Sequence, residues 1–317
     1  MSQTQKSPLQ RKPLPFSFQW LYAFWKFSRP HTIIGTSLSV LGLYSISIAV
    51  SSTGFAVSQI ISVLGAWLAC ICGNVYIVGL NQLEDIEIDK VNKPHLPLAS
   101  GELSRKQGQL IVICTGITAL LLAWLNGPYL LGMVAISLAI GTAYSLPPIR
   151  LKQFPFWAAL CIFSVRGTIV NLGLYLHFSW LLQNKQAIPL SVWVLTVFIL
   201  IFTFAIAIFK DIPDMEGDRL YNIKTFTIQL GPQAVFNFAL WVLTTCYLGM
   251  VIIGVLRLGA INQVFLVISH LILLCWMWMQ SLAVDIHDKT AIAQFYQFIW
   301  KLFFLEYLIF PIACLLA

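Results

Sequence analysis

The stretch YIVGLNQLEDIEIDK, residues 76–90, passes from an apolar run directly into a cluster of acidic residues. Asn81 and Gln82 close the apolar run, and Asp85 and Asp89 follow with a spacing of four. Side chains four residues apart lie on one face of a helix. The stretch therefore predicts a membrane-spanning helix whose polar end presents amides and carboxylates at one membrane surface, where such residues are functional candidates.

A second stretch, KDIPDMEGD at residues 210–218, repeats this arrangement after another apolar run. Asp214 and Asp218 follow Asp85 and Asp89 at the same offset of 129 positions, and the two stretches hold eight of the 12 acidic residues. This spacing predicts an internal pseudo-repeat. Each half of the molecule is expected to place one carboxylate cluster at the edge of a shared central cavity.

Composition indicates that most of the chain faces lipid or a core of similar polarity. The 317 residues are 59% hydrophobic and only 10% charged, whereas soluble domains carry about 25% charged residues. Apolar runs of roughly 20 residues span a bilayer as helices, since backbone groups must be satisfied internally in hydrocarbon. The seven cysteines all lie in apolar runs without metal-type or redox spacing, so they are interpreted as small core residues.

The predicted fold is an all-α membrane protein with nine transmembrane helices in a bundle around a central cavity. The spans are expected at residues 32–50, 57–80, 108–125, 129–146, 155–178, 189–209, 232–256, 260–283 and 296–316. Residues 1–31 form the N-terminal region, in which the aromatic and basic segment 16–30 predicts an interfacial helix. Residues 32–317 form the transmembrane domain, with acidic loops at 81–107 and 210–231.

The distribution of basic residues predicts the orientation of this bundle. With nine spans, sixteen of the 19 Lys and Arg residues fall on the side of the N-terminus and the acidic loops, among them Lys6, Arg11 and Lys12. Lys185 and Arg257 fall on the opposite side. Basic loops remain cytoplasmic, so the N-terminus and both acidic loops are expected in the cytoplasm. The net charge of +7 is thereby explained without a nucleic-acid partner.

Paired carboxylates at the ends of facing helices are suited to magnesium. Mg²⁺ prefers hard oxygen ligands and usually bridges to substrate phosphates instead of being enclosed by protein alone. A diphosphate cannot bind to carboxylates directly, but it can bind to metal ions held between them, with nearby cations supplying further positive charge. The candidate cations are Lys93, Arg150, Lys152, Lys210 and Arg219.

These residues resemble a known family. NQLEDIEID (81–89) is similar to the first motif, N-D/Q-x-x-D-x-x-x-D, of the UbiA superfamily of intramembrane prenyltransferases, and KDIPDMEGD to its second. Within it, the sequence resembles the homogentisate prenyltransferases, and among these the cyanobacterial phytyltransferases. That finer resemblance is carried by Gln82 in the first motif and by the segments FSRPHTIIGT (27–36), GTAYSLPPIRLKQF (141–154), VRGTIVNLG (165–173) and FYQFIWKLFFLEYL (295–308).

The resemblance implies transfer of a phytyl group from phytyl diphosphate to homogentisate, with loss of diphosphate and CO₂, to give the tocopherol intermediate 2-methyl-6-phytylbenzoquinol. Asn81, Asp85 and Asp89 would hold one Mg²⁺. Asp214 and Asp218 would hold a second, with Asp211 assisting. The four motif carboxylates would act in catalysis. The expected location is a cyanobacterial thylakoid or plasma membrane.

Further residues are candidates for binding substrate. Arg166 interrupts an apolar span and could bind the acceptor carboxylate; a structural pair with a backbone carbonyl or an acid is the alternative. Asn171 follows five residues later, and Tyr144 precedes the basic loop, where it could bind phosphate or be an interfacial tyrosine. Gln82 is included for its place in the motif. The five histidines, at positions 31, 95, 177, 270 and 287, are expected to be structural or interfacial.

Three alternatives to this function are open. Another UbiA-type reaction would use a geranylgeranyl or solanesyl donor, or a chlorophyllide or 4-hydroxybenzoate acceptor. A cation transporter with acidic gates is less favoured because transporters place acids at the midplane between inverted repeats. A CDP-alcohol phosphotransferase would require a D-G-x-x-A-R string, which the sequence lacks.

Overall fold

A computed structural model describes residues 18–51, 54, 57–183, 187–221 and 223–317. Lys6, Arg11, Lys12 and Lys185 lie outside the described residues, as does the start of the predicted interfacial segment. The contribution of these four cations to the orientation of the protein therefore stays a prediction.

The described part of the chain is helical and contains no strand. Its helices are α1 (Phe18–Phe27), α2 (Pro30–Ser51), α3 (Ile60–Glu84), α4 (Ile86–Asn92), α5 (Pro97–Ser100), α6 (Arg105–Asn126), α7 (Pro128–Ser145), α8 (Pro155–Phe163), α9 (Val170–Leu181), α10 (Leu190–Phe209), α11 (Asp211–Leu220), α12 (Phe226–Leu230), α13 (Pro232–Val255), α14 (Gln263–Ser281) and α15 (Lys289–Leu315). A π-helical turn, Ser164–Ile169, joins α8 to α9, and short 3₁₀ turns cover Val57–Gln59 and Leu151–Gln153.

Among the described residues, nine helical segments are long and apolar enough to cross a membrane, which confirms the predicted fold. Their ends agree with the predicted spans to within four residues, except at the start of the last. That helix begins at Lys289 and not near residue 296. The Asp288 side chain accepts a hydrogen bond from the Thr290 amide, 2.8 Å away, so a polar cap starts α15 before its apolar run begins.

The turn between α6 and α7 depends on a glycine. Gly127 has a φ of 122°, and a Cβ at this position would lie 2.6 Å from the Trp180 ring. A side chain is therefore excluded both by backbone conformation and by space. Pro128 then begins α7 at a position where no helical N–H is needed. The sequence Asn-Gly-Pro thus separates two spans with almost no connecting loop.

The fifth span is not a regular helix. In its π-helical turn the Asn171 Nδ2 donates to the Gly167 carbonyl at 2.7 Å, and the Tyr307 hydroxyl donates to the Asn171 Oδ1 at 2.7 Å. A Cβ on Gly167 would lie 2.5 Å from the Leu200 Cα on α10, so the turn lies directly against that helix. π-helical turns often occur at functional sites, and this one carries Arg166.

Helix α10 lies at the centre of the bundle and is its most deeply buried span. It contacts α8, the π-helical turn, α13 and α15, while α3 packs mainly on α6 and α2 on α15. The short helix α4 follows α3, α11 follows α10, and α4 contacts α11. Each half of the chain therefore places a short helix at the same end of the bundle.

Helix α1 lies beside this end and is exposed along one side. Phe18, Leu21 and Trp25 are exposed, whereas Phe27 is buried. Lys26 forms an ion pair with Glu102, which ties α1 to the loop between α5 and α6. Placement of α1 on the membrane surface stays a prediction.

Candidate functional site

The two acidic stretches are positioned by the same local structure. Helix α3 ends at Glu84, Asp85 lies at the break with φ −114° and ψ 19°, and α4 then carries Asp89. In the second half, Lys210 joins α10 to α11, which carries Asp211, Asp214 and Asp218. A long span followed by a short acidic helix is therefore the repeated unit, and contact between α4 and α11 brings the two units together.

Between the two units lies a cavity of about 790 Å³. Eleven of the fifteen predicted site residues line it. They are Asn81, Asp85, Asp89, Lys93, Tyr144, Lys152, Arg166, Lys210, Asp211, Asp214 and Asp218. The structure therefore gathers residues from four separate parts of the sequence around one space.

The first carboxylate of this cavity is surrounded by polar groups. Lys152 Nζ lies 2.7 Å from Asp85 Oδ2, and Arg150 Nη2 lies 3.3 Å from Asp85 Oδ1. Asn81 Nδ2 donates to the same Oδ2 at 3.0 Å. Both cations come from the connection between α7 and α8, so the predicted basic loop folds back onto the first acidic motif.

The second cluster is linked to the first by side chains that cross between the repeats. Lys93, which follows α4, forms an ion pair with Asp214. Asn92 accepts a hydrogen bond from the Gly217 amide at 2.8 Å, and its Nδ2 lies 3.4 Å from Asp218 Oδ1. Lys210 pairs with the adjacent Asp211 at 2.9 Å. These contacts hold α4 and α11 in register across the cavity mouth.

Burial alters the acidity of the carboxylates that point inward. It raises the pKa of Asp89 to about 6, against the opposing effect of Arg29 and Lys93. It also raises the pKa of Asp218 to about 7, and the negative charge of Asp214 acts in the same direction. For Lys152, burial lowers the pKa, although Asp85 opposes this shift. The carboxyl groups of Asp89 and Asp218 consequently titrate near neutral pH.

The donor set suits a metal ion that is shared with a phosphate ligand. Among the described residues, no three His, Cys, Asp or Glu side chains converge on one ion position. Mg²⁺ commonly binds to one or two carboxylates and completes its shell with water and substrate phosphates. The Asp89 Oδ2 is buried and has no hydrogen-bond partner in the described part of the chain. It is therefore available as a ligand.

Four predicted residues do not line the cavity. Gln82 is 1% exposed and its Nε2 donates to the Phe27 carbonyl at 2.7 Å, so it joins α3 to the end of α1. Asn171 supports the π-helical turn, as described above. Arg219 is exposed on the outer side of α11. Arg150 acts through its contact with Asp85. None of Gln82, Asn171 and Arg219 lines this cavity, and their part in substrate binding stays a prediction.

Several lining residues were not predicted. Arg29 has a φ of 51°, an uncommon conformation for a residue with a side chain, and its buried Nε has no partner among the described residues. It lies near enough to Asp89 to act on it electrostatically. Asn92 lies three residues after Asp89, on the helical face that carries Asn81, Asp85 and Asp89, and this spacing could have identified it. Arg29 carried no such signal.

The cavity continues inward from the acidic rim as an apolar space. On α3 its lining extends to Cys70, and on the facing helices it extends to Met133 and Val170. The fifteen residues from Asp85 to Cys70 correspond to about 22 Å of helix. The cavity is therefore deep and has charged groups at one end.

A second buried polar pair lies away from this cavity. His270 Nε2 on α14 lies 3.1 Å from Glu306 Oε2 on α15, and both side chains are fully buried. Glu306 thus lies inside the bundle, within the last span and away from the acidic rim. For His270 the contact agrees with the predicted structural role.

The profile of the UbiA prenyltransferase family matches residues 39–302. Homogentisate phytyltransferase of Synechocystis sp. is 55% identical over 296 residues, covering 92% of this chain and 96% of that protein. Homogentisate phytyltransferase 1 of Arabidopsis thaliana, a chloroplast protein, is 41% identical over 297 residues, covering 92% of this chain and 75% of that protein.

The fold has solved counterparts. A UbiA homologue from Archaeoglobus fulgidus, in a structure bound to DMAPP and Mg²⁺, superimposes with a TM-score of 0.61. The match covers 93% of this chain and 99% of that one at 15% sequence identity. At this identity the likeness establishes a shared architecture.

Proposed function

The chain belongs to the UbiA prenyltransferase family, and on that premise we propose that it transfers the phytyl group of phytyl diphosphate to homogentisate. Diphosphate and CO₂ leave, and the product is 2-methyl-6-phytylbenzoquinol, an intermediate of tocopherol biosynthesis. The name of the Synechocystis relative supports both substrates. Homogentisate phytyltransferase activity agrees with the sequence, the fold and the cavity together.

One observation carries this proposal: a deep apolar cavity has two carboxylate clusters and several cations at its mouth. Such a cavity matches a ligand with a highly charged head and a long apolar tail. The diphosphate would lie at the rim, near Lys93, Lys152 and Lys210. The prenyl chain would extend into the apolar space between α3, α7 and α9.

Magnesium fits this arrangement as the cofactor. Asn81, Asp85 and Asp89 would hold one ion and Asp214 and Asp218 the other, with Asp211 beside them. A bound Mg²⁺ would neutralise charge on the leaving diphosphate. The structure of the A. fulgidus homologue with DMAPP and Mg²⁺ supports this assignment.

The protein side chains supply the remaining stabilisation. Lys93 and Lys152, which are paired with carboxylates in the structure, would turn towards the phosphate oxygens of the donor. Arg29, with its unpaired Nε at the rim, would bind the same group. These cations stabilise negative charge as the allylic C–O bond breaks. The apolar walls keep water away from the prenyl cation, and aromatic faces near it stabilise positive charge.

The depth of the cavity favours a donor of phytyl length. The main chain of a phytyl group has sixteen carbons and extends to roughly 20 Å, given carbon–carbon bonds near 1.5 Å. That length is close to the depth of about 22 Å from Asp85 to Cys70. A solanesyl chain is more than twice as long and would have to leave the cavity between helices.

We further propose that the protein is an integral membrane protein with the cavity mouth facing the cytoplasm. The described cations near the mouth include Lys90, Lys93, Arg105 and Lys106, whereas Arg257 lies at the opposite end. This asymmetry agrees with the positive-inside rule. A thylakoid or plasma membrane of a cyanobacterium is the expected location.

The test is product analysis with the purified protein in detergent. Phytyl diphosphate, homogentisate and Mg²⁺ should give a decarboxylated phytylquinol, and EDTA should abolish it. Geranylgeranyl and solanesyl diphosphate as donors, and 4-hydroxybenzoate and chlorophyllide as acceptors, should react more slowly.

Other outcomes of this assay would change the assignment. Product formed with a different acceptor alone would retain prenyl transfer and overturn the homogentisate assignment. If no donor released diphosphate with any acceptor, ion flux through reconstituted vesicles would test the transporter alternative.

A further inference from the structure

Arg166 is a cation inside a membrane-spanning segment, and no acidic residue that the structure describes pairs with it. Its guanidinium carbon lies 5.2 Å from the centre of the Trp300 ring and 5.6 Å from that of Phe303. In the described part of the chain it forms no ion pair, and no hydrogen bond from its guanidinium is observed. A buried charge normally has a partner, and membrane-embedded arginines are rare and generally functional. The missing partner is expected to be a ligand.

The fold is built to hold this side chain in the cavity. The π-helical turn breaks the regular helix at Arg166 and thereby directs the residue toward the cavity, which it lines. A Cβ on Gly35 of α2 would lie 3.2 Å from Arg166 Nη1, so the glycine leaves room for the guanidinium. The hydrogen bonds of Asn171 to Gly167 and of Tyr307 to Asn171 fix the turn. Residues of α2, α9 and α15 therefore all help to position Arg166.

Trp300 connects Arg166 to a second polar side chain. The His31 ring contacts Trp300 edge to face, with ring centres 4.9 Å apart, and His31 also lines the cavity. Among the described residues no hydrogen bond to the His31 ring is observed. His31 was expected to be structural or interfacial, and its place in the cavity wall also makes it accessible to a ligand.

This group lies directly beneath the acidic rim. Tyr296 on α15 is close enough to Lys210 and Asp214 to be influenced by their charges, and its ring centre is 6.4 Å from that of Trp300. Four residues of helix correspond to about 6 Å of rise. A small ring resting on Trp300 would therefore lie about one helical turn below a diphosphate held at the rim.

We propose that Arg166, Trp300 and His31 form the subsite for the aromatic acceptor, a hydroxylated arylacetate. The acceptor carboxylate binds to Arg166, its ring lies against Trp300, and a phenolic hydroxyl donates a hydrogen bond to His31. This assignment rests on the proposed function, since it presumes that the second substrate is a phenolic acid. It gives Arg166 the counter-ion that none of the described residues supplies.

Charge also explains why the acceptor would bind here and not at the rim. At the rim, Lys152, Lys210 and Lys93 are already paired with Asp85, Asp211 and Asp214, so these cations are engaged by the protein's own carboxylates. Arg166 is the described cation that lies below the rim in the cavity lining and lacks an acidic neighbour. A donor diphosphate and an acceptor carboxylate are thus directed to different ends of one cavity.

The experiment compares Arg166→Met with the wild type and with Arg257→Met. Arg257 lies in the exposed loop between α13 and α14, so its variant controls for loss of one positive charge. Binding of labelled homogentisate is measured by equilibrium dialysis in detergent, without Mg²⁺ or donor. Arg166→Met should weaken binding at least tenfold and raise the KM for homogentisate similarly. The KM for phytyl diphosphate should remain unchanged, and Arg257→Met should resemble the wild type.

An acceptor without the carboxylate gives a second readout. Methylhydroquinone retains the ring and hydroxyls of homogentisate but cannot pair with Arg166. The wild type should prefer homogentisate strongly, and Arg166→Met should lose most of that preference, whereas Arg166→Lys should keep part of it. A folded Arg166→Met protein with wild-type affinity and preference would overturn the subsite.

Two controls keep the outcomes distinct. If the wild type transfers prenyl groups to no phenolic acid, the proposed function itself fails. If the wild type is active but Arg166→Met does not fold, judged by its thermal unfolding in detergent, Trp300→Leu decides the question. That variant retains the charge and removes the ring contact. A rise in the KM for homogentisate supports the subsite, and an unchanged KM contradicts it.

Discussion

The rim and the interior of the cavity differ in how their charged side chains are paired. At the rim, carboxylates and lysines alternate, and each of Asp85, Asp211 and Asp214 has a cationic partner. One helical turn further in, Arg166 lies against the rings of Trp300 and Phe303 without any described acidic partner. The rim can therefore exchange its internal pairs for metal and diphosphate. In the interior, the charge of Arg166 is available to bind one anion. The two negatively charged substrates would therefore bind at different ends of a single cavity.

The largest expected effect is at the rim. Asp85→Asn and Asp214→Asn each remove a carboxylate on which the proposed metal site depends, while keeping side-chain size. We expect kcat/KM to fall at least about 10³-fold, or ~4 kcal/mol of transition-state stabilisation. Steady-state assays at saturating Mg²⁺ measure this loss.

Arg219→Gln is the matched control for these variants, since Arg219 belongs to the same acidic segment but is exposed. Its activity should stay within about twofold of the wild type, as for most surface substitutions. Equal losses in Arg219→Gln and Asp214→Asn would show that the segment as a whole, and not the carboxylate, is required.

A smaller effect should appear when the pH is varied. Because burial raises the pKa of Asp218 to about 7 and that of Asp89 to about 6, both carboxyls bind protons as the pH falls below neutrality. Metal binds the ionised forms and displaces those protons. The apparent affinity for Mg²⁺ should consequently decrease about tenfold or more between pH 8 and pH 6.

The measurement is a Mg²⁺ titration of activity at each pH. Excess Mg²⁺ should restore most of the rate at pH 6, and Asp218→Asn should show a shallower pH dependence at a higher Mg²⁺ requirement. An affinity for Mg²⁺ that is constant from pH 6 to pH 8 would contradict the raised pKa values. Binding of homogentisate to Arg166 should be insensitive to pH over this range, because guanidinium and carboxylate both remain charged.

The smallest expected effect concerns the length of the donor. Gly73 lines the cavity on α3, and a Cβ there would make only ordinary contact, 3.7 Å from Leu138. Gly73→Val should therefore fold and narrow the prenyl space. We expect the preference for phytyl over geranyl diphosphate to fall severalfold, in proportion to the few methylene contacts affected.

Competition between the two donors measures that preference. Gly249→Val is the control, since Gly249 on α13 has open space around it and does not line the cavity. Homogentisate KM should not change in either variant. A change in donor preference with Gly249→Val as well would indicate a general disturbance of the bundle.

The sequence was sufficient to predict the spans and most of the rim. Periodic apolar runs determine helices in a membrane, and carboxylates spaced by four residues at the ends of two runs identified Asp85, Asp89, Asp214 and Asp218. Both signals lie in the local sequence, so they can be recognised without knowing how the helices pack. Asn92 followed the same periodicity and could have been included.

The interior of the cavity could not be predicted in the same way. Arg166 was identified because it interrupts an apolar span, but its partners Trp300 and His31 come from the last and first spans. Both lie in segments that carry the family resemblance, but neither the spacing nor the chemistry of those segments predicts that they meet Arg166. Gln82 is the converse case: its place in a motif predicted substrate contact, whereas its amide donates to the Phe27 carbonyl and it does not line the cavity.

The separation of the two ends is tested most directly by measuring the binding of each substrate alone to three proteins: wild type, Asp85→Asn and Arg166→Met. Phytyl diphosphate should require Mg²⁺ and lose affinity only in Asp85→Asn. Homogentisate should bind without Mg²⁺ and lose affinity only in Arg166→Met. If either substitution weakened both substrates equally in proteins of unchanged thermal stability, the cavity would not have two independent ends and the account would be contradicted.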